Sequence, residues 1–175
     1  MGSSAPELSP RAREIVAAAR ELLDEEGREA LSMRRLAERL GIRAPSIYKH
    51  LPGKEALESA VISDGFQEQA AAFEAAGGSL EALARAYRAF ALEHPHLYRL
   101  MTEGPLARER LAPGAEERAA APVVAATGGD RDAARALWAF AHGMTILELD
   151  GRFPPGADLD AAWARGLRAF YAARP

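Results

Sequence analysis

Apolar residues recur at three- and four-residue spacing along almost the whole chain, and nearly every such run is closed by glycine or proline. That punctuation admits only short and medium helices. No alternating run of useful length offers a strand, so the spacing predicts an all-α fold. The first helix is expected from about Pro10 to Glu26, with Ile15, Ala19, Leu22 and Leu23 on one stripe and Gly27 ending it. A short second helix follows Ser32, a good N-cap, and lines Leu36, Ala37 and Leu40 along one side before Gly41. Pro45 then fits the first turn of a third helix, where its missing N–H costs nothing, and Ile47 and Leu51 stand four apart on the inner face. After Pro52-Gly53, a fourth helix runs from about Lys54 to the Gly77-Gly78 break and carries Leu57, Val61, Phe66 and Phe73.

Ser79 caps a fifth helix whose Leu80, Leu83, Ala84, Tyr87, Phe90 and Ala91 keep helical spacing. His96 to Thr102 reads as a short helix, and 106–129 as an alanine-rich helical stretch interrupted by Pro113-Gly114 and Pro122. Asp130 caps a long helix to about Leu149 that is apolar around its whole circumference at 136–141. Such a helix is expected to be buried on every side, against its own core on one face and a partner chain on another. The last helix, from Asp158 to about Ala173, aligns Leu159, Trp163, Leu167, Phe170 and Tyr171, with Ala162 and Gly166 small enough to admit a second helix closely.

Charge is distributed unevenly. From Arg28 to Lys54 seven basic residues face two acidic ones, whereas 55–175 carries twelve basic and seventeen acidic, so a polyanion is attracted to one end only. Of the 22 basic residues only Lys49 and Lys54 are lysines, which points to a GC-rich, bacterial genome. With no cysteine, disulfides and thiolate chemistry are excluded. Neither an apolar span of membrane length nor a signal peptide is read, so a cytoplasmic location is expected. The opening Met-Gly-Ser-Ser is expected to be a cloning remnant.

A short amphipathic helix, a Gly41 turn and a second short helix with polar residues outward make a helix-turn-helix over 32–51. The run Glu26-Gly27-Arg28-Glu29-Ala30-Leu31-Ser32-Met33-Arg34-Arg35-Leu36-Ala37-Glu38-Arg39-Leu40-Gly41-Ile42, followed by Ala44-Pro45-Ser46-Ile47-Tyr48-Lys49-His50-Leu51 and Gly53-Lys54-Glu55-Ala56-Leu57, resembles the N-terminal domain of the TetR/AcrR family. It departs from the family pattern at Arg28, where an aromatic or apolar residue is usual, at Leu51, where Phe is common, and at Arg43, where a small polar residue is frequent. The resemblance implies a DNA-binding head at 9–69 joined to a larger helical ligand-binding and dimerisation body at 70–175. It assigns DNA contacts to Ser32, Met33, Arg34, Arg43, Ala44, Ser46, Tyr48, Lys49, His50 and Lys54. Ser32 and His50 also have plain structural readings, as a cap and as a helix-ending residue.

Beyond Leu57 the run His94-Pro95-His96-Leu97-Tyr98-Arg99-Leu100-Met101, with Trp138, His142-Gly143 and Leu147-Glu148-Leu149, is similar to a TetR subgroup with a Trp-His-Gly signature. The family pairs its last two helices with those of a second copy, which implies a homodimer on a near-palindromic double-stranded operator. Release by an unidentified small effector follows by the same resemblance. A mostly apolar effector site is expected among Phe73, Tyr87, Phe90, Tyr98, Met101, Trp138 and His142, each of which has an ordinary core reading beside it. His94 and His96 lack the spacing of a helical metal site, and no metal or cofactor is expected. No nucleophile motif or phosphate-cradling glycine loop is present, so catalysis is not expected. The rival reading is a helical enzyme or small-molecule carrier with an incidental basic head.

Overall fold

The computed structural model describes residues 8–172, which form nine α-helices and two short 3-10 turns, with no strand among them. In chain order the helices are α1 (Pro10–Glu26), α2 (Met33–Leu40), α3 (Ala44–Tyr48), α4 (Lys54–Ala76), α5 (Leu80–Glu93), α6 (Pro95–Thr102), α7 (Ala115–Ala126), α8 (Arg131–Leu149) and α9 (Leu159–Ala172). Their starts are chosen by local chemistry. Ser9 Oγ accepts from the N–H of Ala12 at 3.2 Å, Ser32 Oγ from Arg35 at 3.3 Å, and Ser79 Oγ from Ala82 at 3.2 Å. Asp130 Oδ1 accepts from both Asp132 and Ala133, and Asp158 Oδ1 from Ala161. The expected all-α class therefore stands, with helix ends close to those read from the sequence.

The chain forms two compact units and crosses between them within α4, between α5 and α6, and within α7. The first holds residues up to Gln67 together with His94–Glu116. Here α1 packs on α2 and α6, and α2 on α3. Ile15, Leu22, Leu23, Leu36, Ile47, Leu51 and Leu57 make its core, each buried side chain contributing about 1.5–3 kcal/mol. Gly65 of α4 makes room for α6, because a Cβ there would lie 2.6 Å from Met101 Sδ and little over 3 Å from the Leu97 methyls. His96 lies against Gly27, whose φ of 80° suits only glycine. The compact unit that carries the helix-turn-helix thus also takes in α6 and 103–116, which the sequence reading assigned to the body.

The second unit holds Glu68–Glu93 and residues from Glu117 onward. In it α5 packs against α8 and α9, and α8 against α9. Phe140 of α8 meets the edge of Trp163 at 5.5 Å and tilts on Phe170 at 6.2 Å. Gly166 lies against the tip of the Phe140 ring. Arg88 is the polar strut: Nε and Nη2 each donate to Glu148 at 2.7 Å, and Nη1 donates to Asp160 at 2.6 Å. Those carboxylates push the guanidinium pKa further up, so the strut stays charged. Tyr171 donates to Glu81, joining α9 to α5.

One expectation needs correction here. Pro122 does not interrupt the alanine-rich stretch: α7 runs through it, giving up one backbone hydrogen bond while Ala115, Ala119 and Ala126 keep one side buried. The face of α8 expected to meet a partner chain is open within the single chain. Leu137, Ala141 and Thr145 are inside, but Trp138 is 53% exposed, and Ala136, Ala139 and Leu147 are exposed with it.

Candidate nucleic-acid interface

Gly41 closes α2 with φ 64° and ψ 30°, a left-handed geometry that glycine adopts without steric cost, and its N–H returns to Ala37 and Glu38 carbonyls. The turn lays α3 across α2, where Ile47 and Leu51 are buried. At 100° per residue, anchoring Ile47 inward turns its neighbours outward. Arg43, Ser46, Tyr48, Lys49 and His50 are accordingly exposed, Tyr48 by 52%. Lys54 is exposed at the first residue of the 23-residue α4, where unpaired N–H groups and the helix dipole favour an anion.

The basic surplus counted along the sequence separates into two groups once ion pairs are placed. Arg39 donates to both oxygens of Glu25 at 2.6 and 2.8 Å and lies 3.5 Å from Glu21; Arg35 reaches Glu26 at 2.6 Å; Arg28 reaches Glu58 at 3.0 Å. These three arginines tie helices together. The Glu25 carboxyl is held below the usual carboxylate range by the hydrogen bond from Arg39, so this tie is complete at neutral pH and loosens only as the pH falls through that lowered value. The remaining four cations are loosely held or unpaired. Arg34 and Lys54 stand 3.8 and 3.6 Å from Glu38 and Glu58, and Arg43 and Lys49 form no ion pair with any described residue. All four lie on α2, on α3 with its N-cap and C-cap, or at the start of α4.

Of the ten residues expected to touch DNA, the structure offers most on the surface. Arg34, Arg43, Ser46, Tyr48, Lys49, His50 and Lys54 are exposed, and Ala44 is half-buried. Ser32 is half-buried and engaged as the α2 cap. Met33 is 7% exposed, because the first turn of α2 points it inward on the face it shares with Leu36 and Ala37. Sequence reading passed over Glu58, whose spacing of four from Lys54 was the available signal.

The residues expected to line an effector site are divided between the two units. Phe73, Tyr87 and Phe90 are buried in the second unit, with Phe73 and Tyr87 stacked at 6.4 Å. Tyr98 and Met101 are buried in the first unit, because α6 packs on α1. Trp138 lies on the exposed side of α8, stacked on His142 at 5.8 Å, since it is one residue round from buried Leu137. A mainly apolar cleft of about 510 Å³ opens between α5 and α9, lined by Ala84, Arg88, Leu92, Trp163 and Leu167 among others, none of them in the expected set. Among the described residues no helix is long and apolar enough to cross a membrane, and no group of three or more His, Asp or Glu side chains is placed to hold a metal ion.

Residues 15–61 match the family described as bacterial regulatory proteins, tetR family, and residues 80–170 match the family described as tetracyclin repressor-like, C-terminal domain. The chain is 35% identical over 151 residues to the uncharacterized HTH-type transcriptional regulator Rv0681 of Mycobacterium tuberculosis, covering 78% of this chain and 69% of that protein. It is 47% identical over 47 residues to the tetracycline repressor protein class C of Escherichia coli, covering 27% of this chain and 22% of the repressor. Its fold is similar to the crystal structure of a possible TetR family transcriptional regulator from Streptomyces coelicolor A3(2), with a TM-score of 0.67, 27% identity, and coverage of 91% and 96% of the two chains.

Proposed function

Since this chain belongs to the TetR family of DNA-binding transcriptional regulators, we propose that it represses transcription as a homodimer, released from its operator by a small, mostly apolar molecule. It is a regulator and not an enzyme, which removes the rival reading of a catalyst with an incidental basic head. The observation that carries the proposal is the gathering of loosely paired and unpaired cations, Arg34, Arg43, Lys49 and Lys54, around the exposed Tyr48 on one short helix and its neighbours.

In this reading Lys54 and the start of α4 hold a phosphate, Tyr48 packs against the sugar-phosphate backbone, and Arg43 and Ser46 reach base edges in the major groove. An Arg on guanine contributes about 1–3 kcal/mol of discrimination, while phosphate contacts set affinity and salt dependence. Two heads carried by one twofold body read a near-palindrome with half-sites about one helical turn apart, or a small multiple of it. A bound dimer blocks polymerase without an activation surface, which favours repression. The effector is assigned to the second unit, with Phe73, Tyr87 and Phe90 as its apolar walls; occupancy shifts the population between gripping and releasing separations of the heads. Selection of duplexes from a random pool is expected to recover a near-palindrome, and recovery of no shared sequence would reject an operator.

The twofold contact is assigned to α8 and α9. The outward side of α8 exposes Trp138, Ala139 and Leu147, with the Trp138 ring stacked on His142 of the same helix, and apolar faces of this kind mark protein–protein contacts. Trp138→Glu is expected to convert the dimer to monomer in sedimentation velocity at micromolar concentration. It should also weaken operator binding at least about a hundredfold, since the two heads then bind without mutual reinforcement. A Trp138→Glu protein that remains dimeric would place the contact elsewhere.

A further inference from the structure

Arg28, one of the positions where this chain departs from the family pattern, has a specific partner. Its Nη2 lies 3.0 Å from Oε2 of Glu58, thirty residues along the chain, and the other oxygen of the same carboxylate lies 3.6 Å from Nζ of Lys54, one turn earlier on α4. Glu58 is the least exposed of the three: its side chain is 14% exposed, against 45% for Arg28 and 49% for Lys54. One largely buried carboxylate is therefore shared by two cations. A carboxylate withdrawn from water requires a counter-charge. Arg28 meets that requirement with a hydrogen bond, while Oε1 of Glu58 has no hydrogen-bond partner among the described residues and Lys54 stands just out of reach.

We propose that Arg28 is a positioning residue for DNA binding: by holding Glu58 it keeps that carboxylate from closing on Lys54, and so leaves the ammonium available to a phosphate. The inference rests on the docking reading above, in which Lys54 meets the DNA backbone. Glu58 and a phosphate compete for the same ammonium, and the four-residue spacing on α4 lets Glu58 close directly on Lys54 once Arg28 is gone. The guanidinium of Arg28 is held charged above its ordinary range chiefly by its hydrogen bond to Glu58, which agrees with a firm pair.

The test is fluorescence anisotropy of a labelled duplex recovered from the random pool, measured over a series of sodium chloride concentrations. Arg28→Met is expected to bind about tenfold or more weakly, as loss of a charged hydrogen bond entails. Its plot of log affinity against log salt should be shallower by about one per protomer, because one phosphate neutralisation is lost. Arg28→Lys, which keeps the charge beside Glu58, is expected to retain the wild-type slope. Glu58→Gln removes the competitor and should bind at least as tightly as wild type with an undiminished slope, and the double variant R28M/E58Q should regain that behaviour. A double variant as weak as Arg28→Met, or a Glu58→Gln protein with lowered affinity and slope, would overturn the proposal. Should Arg28→Met not fold, as judged by circular dichroism, the Glu58→Gln arm still decides. Lys54→Ala separates the two readings. If it leaves affinity and slope unchanged, the docking itself fails; if it weakens binding while Arg28→Met behaves as wild type, only the role of Arg28 falls.

Discussion

Truncating Tyr48 and Lys54 together to alanine is expected to weaken operator binding at least about a hundredfold while leaving the melting temperature and the dimer unchanged. Each side chain supplies one backbone contact per protomer in the proposed docking, and a hydrogen bond to a charged group contributes about 1.5–3 kcal/mol. Neither residue holds the head together. Tyr48 is half in solvent, and among the described residues the ion pair of Lys54 is the loose one to Glu58. Arg39→Ala should behave in the opposite manner. It removes the tie from α2 to Glu25 on α1 and is expected to lower the melting temperature with a smaller effect on the salt dependence of binding. A gel-shift titration beside a thermal melt checks both. Equal affinity of the double alanine variant and wild type would mean that α3 and the start of α4 are not the docking face.

Gly166→Ala is expected to be among the most destabilising single-methyl additions in the chain. A Cβ at that position would overlap Cζ and Cε2 of Phe140, far inside contact distance. The ring is held from its other sides by Trp163 and Phe170, so it has little freedom to retreat. Overpacking of this kind costs about 1–3 kcal/mol, which in a chain of this size lowers the melting temperature by roughly 2–4 °C for each kcal/mol. Phe140→Leu alone leaves a gap and also destabilises. Combined with Gly166→Ala it should cost less than the sum of the two, because the methyl occupies space the ring has vacated. Strict additivity of the two changes would show that the ring and the glycine do not touch.

The parts of this structure that could be read from the sequence are those decided by neighbouring residues. The starts of α1, α2, α5 and α8 follow from Ser9, Ser32, Ser79 and Asp130 acting as caps, and the turn before α3 follows from Gly41. The inward anchors Ile47 and Leu51 were legible from their spacing. What was not legible depends on distant residues. Met33 was the exception: its spacing of three and four from Leu36 and Ala37 placed it on the buried stripe of α2, and that local signal was passed over. The pairs Arg39–Glu25 and Arg28–Glu58 join residues 14 and 30 apart, so a charge count along the chain treated structural arginines as available to DNA. Trp138 carries the aromatic character of a pocket wall, yet its angle on α8 puts it outside the unit's core. Tyr98 and Met101 were grouped with the body by sequence order, whereas α6 folds back onto α1.

Sedimentation velocity of the protein with its selected duplex measures the central claim most directly, because it counts the heads on the DNA. Two chains per near-palindromic duplex, reduced to weak binding by Trp138→Glu and by the Tyr48 and Lys54 truncations independently, is the result expected. One chain per duplex at saturation, or a complex indifferent to all three substitutions, would contradict a twofold body presenting α3 to two half-sites.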